Sequence, residues 1–281
     1  MSFIKQVGWF FLILFAVIGL LFTGVFIAMR LGLTNVRGTI EERNEYFGID
    51  ISKVKNTDTP TGRYYKWSDS AEWGVLETVF ARDEAIINKA AKDAGISPRI
   101  LLGGVIGEQL RFFSNRRENF KSYFEPLKIL ATLSSFSYGI AGLKPETVAR
   151  IDENLKNPES VFYLGPEMEN VITYPEGADK ATVRFERITD TKNTYYSYLY
   201  VGLFMRQVTA QWMRAGHDIS GLPGVISTLY NLGFNRSIPK PNPGLGGAPV
   251  VVNGKTYSFG ELGEQFYYSG ELLQEFPLTS E

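Results

Sequence analysis

The pattern of apolar and polar positions divides the chain into three parts. Residues 7–29 are an apolar run without a charge, residues 31–68 are polar and rich in turn-forming residues, and the rest shows apolar residues at helical spacing. The run is longer than the ~20 residues that span a bilayer, and no convincing signal-peptide cleavage site follows Met29. The pattern therefore predicts one N-terminal transmembrane helix over residues 1–30, followed by a tether or folded arm over residues 31–68.

Residues 69–281 have the pattern of a single domain that is rich in helices. Capping residues, prolines and glycines predict helices at about 69–94, from 97, at 126–133, from 145, and at 194–216, 222–232 and 260–275. Residues 156–192 break this rhythm and are predicted to be a surface insertion with one or two short strands. Asn253-Gly254 between two apolar runs predicts a β-hairpin. The predicted fold class is mainly α with a minor β-hairpin, and the C-terminal hairpin and helix cover about 250–275.

One predicted helix carries a carboxylate among apolar residues. Ser97 and Pro98 provide an N-cap and a proline at the first helical position, and Glu108 then falls on the apolar stripe of the helix. A carboxyl group withdrawn from water favours its neutral form, which a general acid near neutral pH requires. The structural alternative is a buried ion pair with Arg111 or Arg116, and the helix alone leaves both interpretations open.

Three glycines precede that carboxylate in the same helix, at positions 103, 104 and 107. Each costs roughly 1 kcal/mol relative to alanine inside a helix. A cost of this kind predicts a close approach to the helix, either by another helix or by a ligand.

Composition and charge narrow the range of functions. Lys and Arg number 29 against 30 Asp and Glu, so there is no basic surplus that would indicate nucleic acid. The chain has no cysteine, which excludes disulfides and thiolate metal sites, and its one histidine, His217, excludes a multi-histidine metal site within the chain. We therefore predict neither a metal nor another cofactor.

Three stretches resemble, in the same order, the signature of the lysozyme-like lytic transglycosylases, which belong with the goose-type lysozymes and cut bacterial cell-wall glycan. The first, ISPRILLGGVIGEQLRFF at 96–113, resembles the catalytic helix of that family. The resemblance places Glu108 at the catalytic glutamate. Gln109 stands where the family usually has serine, and because a glutamine can also hydrogen-bond, it is a predicted contact for Glu108 or the glycan.

The other two stretches supply the predicted substrate contacts. SYGIAGLKPETVARI at 137–151 resembles the family's cleft loop, with Ser137 and Gly139 among the positions in register. Tyr138 belongs to the backbone that would line the cleft, and the glutamine that contacts sugar in the family falls on Gly142. The stretch at 201–235 resembles the family's last helical motif, which ends in YN followed by glycine. The resemblance implies that two residues of this motif, Tyr230 and Asn231, reach into the active site.

The resemblance implies a lysozyme-like helical domain and a mechanism with one carboxylate. Glu108 protonates the glycosidic oxygen between MurNAc and GlcNAc, and the resulting carboxylate assists attack by the C6 hydroxyl of the same sugar on C1. The product ends in an anhydro-muramic acid ring. The implied partners are peptidoglycan glycan strands and a cell-envelope machine for which a tethered enzyme would open the wall. The apolar run adds the membrane as a predicted partner through residues 7–29. The implied location is the inner membrane, with a single span and the C-terminal domain in the periplasm.

Two alternatives stay open. The first is an inactive lysozyme-like module that binds glycan or serves as a scaffold, which the departures at Gln109 and Gly142 favour. The second is a hydrolytic muramidase, which needs a second carboxylate across the cleft. The acidic residues considered for that role are Glu146, Asp190 and Asp218.

Overall fold

The computed structural model describes residues 3–30, 62–112 and 139–278, and within them the chain is mainly helical, as predicted. The α-helices of these ranges are α1 (Phe3–Arg30), α2 (Ala71–Arg82), α3 (Glu84–Ala94), α4 (Pro98–Phe112), α5 (Pro145–Leu155), α6 (Lys180–Thr189), α7 (Tyr195–Arg214), α8 (Pro223–Leu232) and α9 (Phe259–Tyr268). Strands β1 (Pro249–Val252) and β2 (Lys255–Ser258) form an antiparallel hairpin. The helix predicted at 126–133 lies outside the described residues.

Helix α1 covers the apolar run, and its side chains from Lys5 to Leu21 are exposed. In the part of the chain that the structure describes, no helix combines the length and the apolar character that crossing a membrane requires. The predicted transmembrane anchor over residues 1–30 is therefore wrong, and so is the single-pass inner-membrane location. The prediction rested on length and missing charge alone, and these two properties do not establish a span.

The helix predicted at 69–94 is two helices that meet at Asp83. The predicted ends are right, because the Ser70 hydroxyl accepts from the amide of Trp73 at 3.0 Å and Gly95 ends α3 with a φ of 71°. Between them, the Asp83 carboxylate is buried and accepts hydrogen bonds from two hydroxyls at the start of α7, Thr194 at 3.1 Å and Tyr198 at 3.3 Å. The helical spacing of apolar residues continues through Asp83 in the sequence, but this contact with α7 separates α2 from α3.

Helix α4 is the central element of the domain, in contact with α2, α3, α7, α8, α9 and β1. From Leu101 to Leu110 every residue is buried except Glu108, which is partly buried. The Ser97 carbonyl accepts the first helical bond from the amide of Leu101 at 3.0 Å, but the Ser97 hydroxyl has no hydrogen-bond partner. Ser97 therefore occupies the N-cap position without the predicted side-chain cap.

The three glycines of α4 let other helices approach it. A Cβ added at Gly107 would lie 2.7 Å from the Phe259 ring at the start of α9, and one at Gly104 would lie 2.2 Å from the Met205 methyl group of α7. A Cβ at Gly103 would lie 3.3 Å from the Gly263 carbonyl oxygen of α9. The glycines predicted a close approach by another helix or by a ligand, and the structure shows the approach of other helices.

A buried arginine joins the start of α4 to the end of α9. The Arg99 side chain is fully buried, and its guanidinium donates to five backbone carbonyls at 2.6 to 3.2 Å. These carbonyls belong to Phe266, Tyr267, Ser269, Glu271 and Phe276. The chain after Tyr268 wraps around this cation, so α9 ends well before the predicted position near 275.

Residues 62–68, the part of the predicted tether that the structure describes, pack against the helical domain. Trp67 is fully buried, and its ring packs edge-on against Trp73 with 4.9 Å between centroids. Arg63 pairs with the segment after α9, since its amide donates to Tyr268 and its carbonyl accepts from Gly270, both at 3.2 Å. Residues 62–69 are thus part of the folded domain.

The segment at 156–192 contains a helix, α6, and the described structure has no strand there. The predicted strands are wrong. Asp179 begins α6 by accepting from the amides of Ala181 at 3.3 Å and Thr182 at 3.0 Å. This cap begins a helix in a segment whose β-branched residues had favoured strands.

A buried polar cluster attaches this segment to the helical core. Asp152 on α5 is buried and accepts from the Tyr174 hydroxyl and from Arg184 Nη1, the latter at 3.2 Å. The Tyr174 hydroxyl lies 3.1 Å from that of Tyr200 on α7. Burial raises the pKa of Asp152, although the hydrogen bonds from Tyr174 and Arg184 act in the opposite direction.

This raised pKa predicts a specific pH dependence of stability. The folded chain holds the Asp152 proton more tightly than the unfolded chain, so this group destabilises the wild-type protein as the pH rises from its unfolded value of ~3.9 towards the higher folded value. The stability of Asp152→Asn relative to wild type is expected to increase over that window, as measured by urea unfolding at a series of pH values. Asp179→Asn is the control of opposite sign, because hydrogen bonds from Thr182 and Ala181 lower the pKa of Asp179. Identical slopes for the two variants would contradict the prediction.

Candidate active site

Glu108 lies in the last turns of α4, with its side chain 13% exposed. One carboxylate oxygen, Oε2, lies 2.7 Å from Nη2 of Arg111, which is itself 32% exposed. The ion-pair alternative is therefore present in the structure through Arg111, while Arg116 lies outside the described residues. The pair requires a charged carboxylate, whereas donation of a proton requires the neutral form. Glu108 must exchange this partner for another if it acts as an acid.

The loop at residues 139–143, called the glycine loop below, packs directly against this carboxyl group. A Cβ added to Gly142 would lie 2.8 Å from both Cδ and Oε2 of Glu108. Gly142 also has a φ of 62°, which side chains rarely tolerate. The structure thus brings together two residues that are 34 positions apart in sequence (142 − 108 = 34), and it leaves no room for a side chain at 142.

Gly142→Ala is expected to destabilise the fold by about 1–3 kcal/mol, because it adds displacement of the Glu108 carboxyl group to the ~1–2 kcal/mol cost of a left-handed backbone. Gly177→Ala is a matched control, since Gly177 has a φ of 71° and a Cβ there would meet nothing within 4 Å. Urea unfolding of both variants separates the two costs. Equal destabilisation of the two would contradict a close contact between Gly142 and Glu108.

Tyr230, near the end of α8, also reaches the glycine loop. Its hydroxyl donates to the Ala141 carbonyl at 2.5 Å, and its ring packs edge-on against Phe204 with 5.4 Å between centroids. Burial and then the charge of Glu108 raise the pKa of Tyr230 well above its usual value. Because Ala141 precedes Gly142, which lies against Glu108, this hydrogen bond places Tyr230 beside the same site, and its raised pKa keeps it a phenol. The described hydrogen bond goes to the loop and not to the carboxylate.

Three other predicted contacts have structural partners. Gln109 is 3% exposed and donates through Nε2 to the Ile140 carbonyl. Asn231 accepts from the amide of Ala248 at 2.8 Å and so holds the segment before β1. A Cβ on Gly139 would lie 1.9 Å from the carbonyl oxygen of residue 188, which puts that end of the loop against α6. Ser137 and Tyr138 lie outside the described residues.

The acids considered for a second catalytic carboxylate have surface positions. Asp190 accepts from the amides of Lys192 at 2.8 Å and Asn193 at 3.0 Å, and Asp218 accepts from the amide of Ser220 at 2.9 Å. Both cap their own turns, as short acidic side chains do. Glu146 is exposed in the first turn of α5. In the described ranges, no three acidic or histidine side chains are grouped so that they could hold a metal ion.

Comparison with protein-family models, curated proteins and solved structures finds no match for this chain. The geometry adds two features that the sequence analysis missed, namely the carbonyls of Ile140 and Ala141 as hydrogen-bond acceptors. Backbone acceptors leave no signal in residue identity, because every residue carries a carbonyl.

Proposed function

We propose that this protein is a peptidoglycan lytic transglycosylase that cleaves the MurNAc–GlcNAc bond, with Glu108 as its one catalytic carboxylate. The observation that supports the proposal is that three predicted site residues lie close together. Glu108, Gly142 and Tyr230 come from the three stretches that resemble the family, and they meet in the fold at one place. The loop before Gly142 accepts from Tyr230, and Gly142 itself lies against the Glu108 carboxyl group.

In the proposed reaction Glu108 acts twice. The neutral carboxyl group first gives its proton to the glycosidic oxygen, so that the bond from C1 to that oxygen breaks and a GlcNAc hydroxyl is released. The carboxylate then takes the proton of the MurNAc C6 hydroxyl as that oxygen bonds to C1. Because the nucleophile belongs to the substrate, no water and no second carboxylate are needed.

The ion pair with Arg111 fits this cycle as the state without substrate. A bound glycan brings the glycosidic oxygen to Glu108, and that oxygen takes the place of the guanidinium beside Oε2. Arg111 is on the following turn of α4 and is partly exposed, and in this cycle its side chain moves away from Oε2 when the glycan binds. The C6 proton leaves Glu108 neutral at the end of the cycle. Loss of that proton to solvent restores the charged partner of Arg111, and Glu108 takes up a proton from solvent before it acts as an acid again.

Product analysis tests the proposal. The full chain is incubated with purified peptidoglycan, and the soluble products are separated and weighed by mass spectrometry. Anhydro-muropeptides are the expected products. New reducing ends would instead identify a hydrolytic muramidase and overturn the lyase.

The Arg111 ion pair also favours a second candidate function, a glycan-binding or scaffold module without catalysis. An acid that stays paired with an arginine cannot donate a proton. Sedimentation of the chain with insoluble peptidoglycan, without release of any soluble product, would support this function and contradict the enzyme.

A further inference from the structure

We propose that Gln109 and Tyr230 are positioning residues that together clamp the glycine loop against Glu108. Each donates a hydrogen bond to one of two successive loop carbonyls, Ile140 for Gln109 and Ala141 for Tyr230. The expected effect of this clamp on kcat rests on the proposed function. The clamp itself is a set of hydrogen bonds in the fold and does not depend on that function.

The two donors come from different helices. Gln109 lies on α4, next to Glu108, and Tyr230 lies on α8, which packs against α4. Their hydrogen bonds fix two adjacent peptide units, and Gly142 is the next residue along the chain. The position of Gly142 beside the carboxyl group is therefore set by two helices and not by the loop alone.

The glycine loop needs such support. Gly139 and Gly142 both have positive φ values, 69° and 62°, and glycine is the residue with the largest backbone freedom to lose on folding. The bond that the loop makes within itself, from the Gly142 amide to the Gly139 carbonyl, is long at 3.3 Å. A clamp from outside supplies the rigidity that this backbone lacks.

The surroundings of the Gln109 side chain indicate that its N–H group is needed to hold the loop. Its side chain is buried, and its oxygen, Oε1, has no hydrogen-bond partner. An unsatisfied buried oxygen destabilises a fold, so an apolar side chain of the same size would be tolerated better if packing were the only role. The serine that the resembled pattern has at this position is too short to reach the Ile140 carbonyl as the glutamine does.

Gln109→Met and Tyr230→Phe each remove one hydrogen bond while they keep side-chain volume. In the full chain, hydrogen–deuterium exchange of the loop amides is expected to become about five-fold faster in each variant, the equivalent of one neutral hydrogen bond. On peptidoglycan, kcat is expected to fall by about ten- to a hundred-fold with little change in KM, since a displaced loop disturbs geometry rather than binding. Gln109→Ser is expected to behave as Gln109→Met does.

Two controls match the chemistry of these variants. Gln211→Met removes another side-chain bond to a carbonyl, that of Ser237 at 3.0 Å, and Tyr163→Phe removes another tyrosine hydroxyl bond, to Glu169 at 2.5 Å. Both controls are expected to leave the exchange of the glycine loop and kcat unchanged. The double variant Gln109→Met/Tyr230→Phe is expected to lose less than the product of the single losses, because release of either carbonyl frees the same loop.

Other outcomes would overturn the clamp. A higher KM with unchanged loop exchange would make Gln109 or Tyr230 a substrate contact. A lower melting temperature with unchanged loop exchange and kcat would make the two residues merely structural. If the wild-type protein releases no product, the proposed function fails, while the exchange measurement still decides whether the clamp exists.

Discussion

Replacement of Glu108 by glutamine is expected to lower the release of glycan fragments from purified peptidoglycan by about 10³-fold or more. A positioned acid or base contributes roughly 10²- to 10⁴-fold, and Glu108 serves in both roles. The amide of glutamine keeps the shape of the carboxyl group and its contact with Gly142, but it neither gives nor takes the proton. The measurement is the initial rate of anhydro-muropeptide formation by mass spectrometry.

Glu153→Gln is the matched control for this loss. Glu153 is an exposed glutamate in α5, so the same chemical change there is expected to leave the rate unaltered. Circular dichroism and thermal melts establish that Glu108→Gln is folded. A folded Glu108→Gln protein that retains its activity would remove Glu108 from the mechanism, and with it the proposed enzyme.

The second large effect concerns stability. Arg99→Met is expected to lower the free energy of unfolding by about 3–5 kcal/mol, because it leaves buried carbonyls without a donor. Methionine preserves much of the side-chain volume, so the loss measures hydrogen bonding and charge more than a cavity. Burial lowers the pKa of Arg99 to about 10, which still leaves the guanidinium charged at neutral pH. Urea unfolding followed by tryptophan fluorescence gives the value.

Two variants define how Arg99 acts. Arg206→Met changes an exposed arginine on α7 and is expected to alter stability by less than about 0.5 kcal/mol. Arg99→Lys keeps a positive charge but lacks the planar fork of donors, so an intermediate loss is expected. If Arg99→Met were no more destabilising than Arg206→Met, the carbonyls at the end of α9 would not depend on this cation.

Local signals predicted most of the described helices but not where tertiary contacts modify them. Ser70 caps α2 with its own hydroxyl, Gly95 ends α3 with its positive φ, and Asn253-Gly254 marks the hairpin turn with φ values of 48° and 72°. The break at Asp83 depends on hydroxyls more than a hundred residues later. The early end of α9 likewise depends on a distant cation, Arg99. Periodicity within a short window contains no information about either contact.

In the candidate site, likewise, the features within one helix could be predicted and the contacts between distant segments could not. The apolar setting of Glu108 and its possible ion pair with Arg111 could both be deduced from one helix. The contact with Gly142 and the hydrogen bond from Tyr230 to Ala141 join segments far apart in sequence. The hydrogen bond from Gln109 to Ile140 could not be predicted for a different reason, because its acceptor is a backbone carbonyl and the resembled pattern has another residue at position 109.

The pairing of Arg63 with the segment after α9 has a consequence for how the domain can be rearranged. Its neighbour Gly62 lies so close to Gly270 that an added Cβ would be 2.2 Å from the Gly270 Cα. The place where the chain enters the domain is therefore next to the place where it completes its last turns. A circular permutant, with residues 278 and 62 joined by a flexible linker and new ends at the exposed turn of Gly177, is expected to retain the helix contacts described above.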